Sequence, residues 1–382
     1  MDTESIIKNK IVEHQALTFD DILLLPNYAD IKRQDVDLRA TLHPKIQLKI
    51  PVVSSPMDTV TESAMAITLA KNGALGIIHR NLSIEEQAAQ VKKIKQTKVT
   101  NIPSAAVDGN KQLLVGGAVG VGTDLLDRVA ALVEAGVDLL VVDSAHGYSK
   151  FVIETVELIR KKYPQMVVMA GNIATFDGAK ALIKAGAHIL RVGMGPGSIC
   201  TTRIVTGMGV PQISAIAAVV RAASGSKTTI VADGGIRQIG DMAKALAFGA
   251  HAVMMGSLFA RFDESPGEKV TVTGKTYKSY RGMGSVAAMK KGGAERYGQG
   301  KTQDSKKLVA EGIEGLLPYQ GSVVDYLYQI EGSLRSSLYY LGSHNLATFF
   351  KSARAIKISN AGLLESHPHG VVIKDAGKNY QT

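Results

Sequence analysis

The one cysteine of the chain, Cys200, lies in the run GMGPGSICTTR from Gly193 to Arg203, where the chemistry of the sequence is densest. A lone thiol can form neither an intrachain disulfide nor a cysteine-rich zinc site, and it is often only a small buried hydrophobe. Here glycines at 193, 195 and 197 let carbonyls and amides approach a ligand closely. Thr201, Thr202 and Arg203 follow the cysteine, a polar and cationic setting that favours thiolate. The expectation is a nucleophile; the alternative is an inert thiol in a structural turn. Two further runs are ADGGIR, with Asp233, Gly234 and Gly235, and MGS, with Gly256 and Ser257. Turns of this kind cradle phosphate with backbone N–H groups. Ser55 and Ser198 offer hydroxyl donors, and Asp233 suits a ribose diol. These residues imply a phosphate-bearing substrate beside a nucleophile. Asp143 in VVDSAHG and Asn172 in AGN suit the ribose or amide of a second ligand, or else the cap of a following helix. His146 reads as an ordinary loop histidine. No GxGxxG run follows a strand and opens a helix, so a dinucleotide would not be held in the Rossmann manner.

These runs share a register that the elements around them explain. A helical stretch ending in Ala-Gly or Gly-Ala, then a short apolar run, recurs as AKNGALGII from Ala70, EAGVDLLVV from Glu134, KAGAHILRV from Lys184 and AFGAHAVMM from Ala247. Glycine suits the left-handed position that ends a helix, and a β-branched run suits a strand buried on both faces. Further strands are PVVSS from Pro51, LLVGGAV from Leu113, MVVMAGN from Met166 and TIVADGG from Thr229, making eight in all. Helical stretches such as DLLDRVAALVEAG from Asp124 and DGAKALIKAG from Asp177 lie between them. The expected fold is an α/β (β/α)8 barrel over residues 1–382, with a doubly wound open sheet as the alternative. In a barrel the chemistry sits where strands end, and these ends read SSPMD, HRN, AVGVG, DSAHG, GNIA, GMGPGSICTT, DGG and MGS. The phosphate runs then fall after the last two strands, the usual place for them. Residues 268–318 are long, polar and glycine-rich, which reads as a mobile lid rather than a disordered insertion. The tail after about residue 355 also lies outside the repeat.

Composition sets the outer bounds. With 45% apolar and 20% charged residues, the chain is ordinary for a globular protein. No stretch approaches the roughly 18–20 apolar residues of a membrane span, and the opening MDTESIIKNK has no signal-like core. A cytoplasmic location is expected. The net charge of +10 comes from dispersed lysines, densest at Lys92–Lys98 and Lys301–Lys307, without aromatic interleaving. A solvated surface explains them better than nucleic-acid binding.

The chain closely resembles the inosine-monophosphate dehydrogenases along nearly its whole length. The resemblance rests on LTFDDILLLP from Leu17, PVVSSPMDTVTE from Pro51, GPGSICTTR from Gly195, VADGGI from Val231, YRGMGS from Tyr280, ERYGQ from Glu295 and GLLESHPH from Gly362, in family order. The DSAHG and ESHPH forms resemble bacterial members more than animal ones. The resemblance implies oxidation of inosine 5′-monophosphate (IMP) to xanthosine 5′-monophosphate with NAD, in guanine nucleotide biosynthesis. Cys200 would attack purine carbon 2 and, after hydride transfer, remain bound as a thioimidate. Arg296 and Tyr297 match the flap pair that enters the vacated cofactor site, Arg296 as the base activating water and Thr202 assisting. Ser55, Ser198, Gly235, Gly256, Ser257 and Tyr280 match contacts to the substrate phosphate. Asp233 matches the ribose contact, and Met283, Gly284 and Glu311 those at the base. Asp143 and Asn172, with Gly193 and Gly195 of the catalytic loop, fall where the family meets NAD. The carbonyls of Gly195, Gly197 and Cys200 match a potassium site completed by Glu365, Ser366 and His367 of a neighbouring subunit, which implies a homotetramer.

One departure is large. Most family members insert a pair of regulatory cystathionine-β-synthase-type domains after the second barrel strand. Here only QTKVTNIPSAAVDGNKQ from Gln96 separates the flanking elements, so control through that pair is excluded. The nearest alternative activity is that of the GMP reductases. Those enzymes carry a glutamate after the serine of the motif matching YRGMGSVAAM, where this chain has Val286, and they lack the Arg-Tyr pair. A nucleic-acid-binding role is the alternative of a different class, supported by net charge alone.

Overall fold

The protein is described by a computed structural model covering residues 10–12, 15–299, 304 and 307–380. Of MDTESIIKNK only Lys10 is among the described residues, and of the Lys301–Lys307 cluster only Asp304 and Lys307 are.

A short strand β1 (Ile22–Leu24) and a hairpin of β2 (Ala40–His43) and β3 (Ile46–Leu48) precede the main sheet. Eight parallel strands then close into a barrel: β4 (Val52–Ser54), β5 (Leu75–Ile78), β6 (Val115–Val119), β7 (Leu139–Asp143), β8 (Val167–Ile173), β9 (Ile189–Val192), β10 (Thr229–Asp233) and β11 (Ala252–Met255). These are the eight strands expected from the sequence, and β11 pairs with β4, which excludes the open sheet. Alternation along each strand divides the core in two. Leu139, Val141, Val167, Met169, Ile189, Val231 and Met254 point inward and fill the barrel, which Leu42, Ile46 and Leu48 of the hairpin plug from below. Leu140, Val142, Val168, Leu190 and Val192 point outward beneath helix residues such as Val129, Leu132, Val156 and Leu182. Burying each such side chain stabilises the fold by about 1.5–3 kcal/mol. A filled barrel has no lumen, so a ligand must bind at one end of it.

The helix-ending glycines adopt the expected left-handed conformation, with φ of +83° at Gly73, +87° at Gly136, +96° at Gly186 and +102° at Gly249. Three of the four repeats add a device at the lower rim. The residue before the strand donates its N–H to the neighbouring strand, and its side chain accepts an N–H from that same residue. Asp138 accepts from Val115 at 2.9 Å, His188 Nδ1 from Val168 at 3.1 Å and His251 Nδ1 from Ile230 at 3.2 Å. An accepting Nδ1 requires neutral imidazole. Burial accordingly pushes both histidines down, His188 to about 4 with help from the nearby Arg160 cation.

After β11 the chain leaves the barrel as an antiparallel sheet of β12 (Lys269–Val272), β13 (Lys275–Arg281) and β14 (Glu314–Pro318), with the helix Val286–Lys290 and the 3-10 turn Gly293–Tyr297 between the last two. The described part of the expected lid is therefore folded. Its stalk is fixed to the barrel by Arg281, which grips Asp58 with Nε at 3.1 Å, and by Lys278 Nζ on the Ser265 carbonyl at 2.9 Å. In the tail, β15 (Ala355–Lys357) pairs with β1. Residues 96–112 form a compact link with Ala105 and Ala106 buried, and no domain is inserted there. Among the described residues no helix is long and apolar enough to cross a membrane.

Candidate active site

The C-terminal strand ends surround a cleft of about 170 Å³ that brings together most of the residues expected from the sequence. Its lining includes Cys200, Thr202, Asp233, Arg296, Tyr297 and Glu311. A larger concavity, of about 1320 Å³, opens at the opposite end, beside Lys45, Gln47 and Gln165. Its lining holds no cysteine, and it lies at the rim where barrel residues serve stability.

Cys200 is half-buried at the start of the helix Thr202–Thr206. Its Sγ lies 3.2 Å from Thr202 Oγ1, and that hydroxyl donates to Glu311 Oε2 at 2.8 Å. A thiol, a hydroxyl and a carboxylate in series form a path for one proton. The loop is held in place by the folded lid, since Thr201 N–H donates to the Glu311 carbonyl and Ile313 N–H to that of Ile199. Arg203 acts on Cys200 through its charge and makes no hydrogen bond to the thiol among the described residues. It donates to the Met194 carbonyl at 3.1 Å and the Val210 carbonyl at 2.7 Å, so the same cation also braces the glycine loop.

The two phosphate runs line one side of the cleft, through Gly235 after β10 and Gly256 and Ser257 after β11, with Ser55 and Ser198 nearby. Tyr280 is buried among them, and burial pushes its phenol above the usual range, so it remains a neutral donor. A Cβ on Gly256 would lie 2.8 Å from the Tyr280 hydroxyl oxygen, which explains the need for glycine there. Asp233 accepts at Oδ2 from Arg191 Nε and Asn172 Nδ2, both at 2.8 Å. Among the described residues its Oδ1 meets Ser55 Oγ alone, at 3.5 Å. Met283 lines the cleft, whereas Gly284 lies behind it: a Cβ there would meet the Tyr297 ring at 2.7 Å.

Asp143 and Asn172 do not cap helices; Ser149 and Thr175 do. Asn172 sits at a bulge between β8 and β9, which turns its side chain toward the site. Asp143 is buried at the end of β7 and pairs with both Arg191 and Arg296. Burial alone would raise its carboxyl, but the cations of Arg296, Arg191 and Arg80 together hold it below the usual range. Arg296 reaches Asn172 Oδ1 at 3.5 Å, and Ala145 N–H donates to its carbonyl at 3.0 Å. Burial works against the Arg296 charge; Asp143 outweighs it, and the guanidinium is held protonated. His146 is exposed and outside the cleft.

Arg191 was not singled out in the sequence, although its signal is visible there. A charge inside HILRV, a fully buried strand, needs paired partners, and its fork joins Asp143 to Asp233. The contact of Glu311 with Thr202 was missed as well, because 109 residues separate them.

Glu365, Ser366 and His367 are not brought to this cleft within one chain. They are exposed at the end of the helix Asn360–Glu365, where His367 Nδ1 lies 2.8 Å from the Tyr380 hydroxyl. Gly193, Gly195 and Gly197 do line the cleft. A Cβ on Gly193 would meet the Asp233 carbonyl at 2.1 Å, so the loop packs against β10 only because that position lacks a side chain.

A thiol, a proton path and two glycine-rich loops at the C-terminal rim of a barrel place the site where α/β-barrel enzymes carry theirs. The chain belongs to the IMP dehydrogenase / GMP reductase family, whose domain model matches residues 16–369. It is 46% identical over 399 residues to the inosine-5′-monophosphate dehydrogenase of Borreliella burgdorferi, covering 95% of this chain and 98% of the relative. To the enzymes of that name from Bacillus subtilis and Aquifex aeolicus it is 40% identical, covering 96% and 98% of this chain and 98% and 99% of theirs. The Bacillus alignment runs over 480 residues against the 382 of this chain, so that relative carries an additional segment. Its absence agrees with the short link at residues 96–112.

Proposed function

We propose that this chain converts IMP to xanthosine 5′-monophosphate with NAD as hydride acceptor, a step of guanine nucleotide biosynthesis. The carrying observation is that Arg296 and Tyr297, the pair expected of the dehydrogenases and not of the reductases, line the cleft with Cys200. The phosphate is held by Ser55, Ser198, Gly235, Gly256, Ser257 and Tyr280, the ribose by Asp233, and the base by Met283 and Glu311, with Gly284 behind them giving room to the Tyr297 ring. Cys200 loses its proton through Thr202 to Glu311, and sulfur bonds to purine carbon 2. NAD, when bound, supplies the acceptor for the hydride leaving that carbon. The purine then remains on Cys200 as a thioimidate. Water adds to carbon 2, the carbon–sulfur bond breaks, and the product leaves with the thiol restored. IMP, NAD and water thus give xanthosine 5′-monophosphate, NADH and one proton.

Asp143 and Asn172, with Gly193 and Gly195, fit the nicotinamide end of NAD: a buried carboxylate and amide suit hydroxyl and amide groups. Arg296 fills that position in this structure. NAD and Arg296 therefore exclude each other, which supports a flap at about 268–318 with two positions, one for each half-reaction. As water-activating base, Arg296 must give up a proton that its contact with Asp143 helps to hold. The proton that Glu311 took from Cys200 returns to sulfur as the carbon–sulfur bond breaks, and Thr202 and Glu311 then offer a second route for the water proton. The carbonyls of Gly195, Gly197 and Cys200 offer only oxygen donors, which fits a hard monovalent cation such as potassium. Glu365, Ser366 and His367 complete that site from a neighbour in a cytoplasmic homotetramer.

The test is purified protein with IMP and NAD, then with GMP and NADPH, following nicotinamide absorbance. Reduction of NAD in the first mixture supports the proposal. Oxidation of NADPH in the second alone would make the chain a reductase. Inactivity in both, with salt-sensitive RNA retention unaffected by Cys200→Ala, would favour nucleic-acid binding.

A further inference from the structure

The geometry points to Arg80 and Glu295 as positioning residues, whose ion pair docks the flap and sets how often Arg296 occupies the position beside Asp143 and Asn172. The inference rests on the two-position flap described above and names the contact that governs it. Arg80 follows β5 in the HRN loop, and its NH1 lies 3.4 Å from Glu295 Oε2. The Arg80 side chain is 8% exposed and that of Glu295 26%, so the pair is partly withdrawn from solvent. Screening is weaker there than on an open surface.

The loop after β6, AVGVG, is shaped around this pair. A Cβ on Gly120 would lie 2.9 Å from Arg80 NH1, and one on Gly122 would lie 2.8 Å from Glu295 Oε2. Neither glycine has a positive φ, so their use here is space and not backbone conformation. Glu295 and Arg296 are adjacent in one 3-10 turn, so docking the first aims the second. The first reaches the loop after β5 and the second the end of β7. The Arg80 charge also acts on Asp143, which links the two contacts electrostatically. The lid is also fastened through its stalk, by Arg281 to Asp58 and Lys278 to Ser265, and through Glu311 and Ile313 to the Cys200 loop, contacts that need not break when the turn lifts; on the turn itself the Arg296 carbonyl accepts from Ala145 N–H.

The lid turn and NAD compete for one position, so loosening the turn must strengthen NAD binding while it slows hydrolysis. A general folding defect would weaken NAD binding. The experiment is a double-mutant cycle with Arg80→Gln, Glu295→Gln and both together. NAD affinity is measured in a Cys200→Ala background saturated with IMP, and turnover in the Cys200 protein. Breaking one partly buried pair should tighten NAD binding and lower steady-state turnover roughly five-fold each. The initial burst of NADH should be unchanged, which also reports that the variants fold. The double variant should resemble the singles rather than multiply their effects. Unchanged or weaker NAD binding in Glu295→Gln, or effects that multiply, overturns the inference. Arg296→Ala, titrated with NAD in the same background, separates the two levels of reading. If it tightens NAD binding and Glu295→Gln does not, the docking pair alone is wrong. If neither does, the competition itself is wrong and both readings fall.

Discussion

Replacing Arg296 with alanine empties the position between Asp143 and Asn172 and leaves most of the cleft as it is. Asp143 retains its pair with Arg191, so the buried carboxylate is not orphaned. The lid retains its stalk contacts, and Glu295 still faces Arg80. The stability cost should therefore stay within about 2 kcal/mol, typical of a single substitution. No atom of Arg296 belongs to the Cys200–Thr202–Glu311 path, so attack on carbon 2 and hydride transfer should proceed near the original rate. Hydrolysis loses a positioned proton acceptor, worth about 10²–10⁴-fold. Thr202 and Glu311 remain as a route for the water proton, which places the loss toward the lower end of that range. Rapid mixing with saturating IMP and NAD should give a burst of about one NADH per site, then turnover slowed roughly a hundred-fold. The trapped purine should appear as added mass on the peptide containing Cys200. If Arg296 only binds substrate phosphate, the variant will need more IMP and show neither burst nor adduct. Loss of the burst would refute the assignment of Arg296 to the second half-reaction.

Cys200→Ala should abolish turnover and keep IMP binding, and IMP should protect the unmodified protein from thiol alkylation; full activity in the variant would remove Cys200 from the chemistry. Exchanging potassium for a large organic cation should slow turnover, and truncation before Glu365 should abolish the difference; an unchanged rate on exchange would end the cation-site assignment. Acid should weaken the lower rim. His188 is depressed from 6.5 to about 4, so its contribution is complete above pH 6.5 and declines as pH falls through 4. A full desolvation shift of that size would be worth about 3 kcal/mol, and the half-open ring reduces it to about 1 kcal/mol. Urea midpoints at pH 7 and pH 4.5 should differ less in His188→Gln than in the unmodified chain, and equal differences would show that the imidazole is not the titrating group.

The barrel was legible because each of its strands is buried on both faces, so that LLVVD, VVMAG and TIVAD stand out as apolar runs after helix-ending glycines. Closure was not legible, since pairing of β11 with β4 joins segments some two hundred positions apart and leaves no local trace. The hairpin β2–β3 was missed for a related reason. Its apolar residues alternate over three or four positions and form a plug only against a barrel already built. In the site, residues carried by short glycine-rich runs were found, because such runs are expensive for a fold and informative for that reason. The residues that connect those runs were not. Arg191 hides inside a strand, Arg80 has an ordinary neighbourhood, and Glu311 meets Thr202 only when the lid folds back.

On the proposed function, the buried charges beneath the cleft account for a lid turn that both leaves and returns. Asp143 and Asp233 are joined by Arg191, and Arg296 brings the group of four to neutrality when the turn is docked. In that reading, lifting Arg296 removes the cation that acts most strongly on Asp143 and leaves Arg191 and Arg80 as the cations acting on that carboxylate, so the proposed nicotinamide position becomes more negative. Oxidised nicotinamide carries a positive charge and complements that excess in a weakly screened site; the reduced ring is neutral and does not. Hydride transfer therefore removes the charge that balanced the open site and restores the attraction for Arg296. On the proposed function, the same carboxylates that favour binding of the oxidised cofactor also draw the flap back once the hydride has moved.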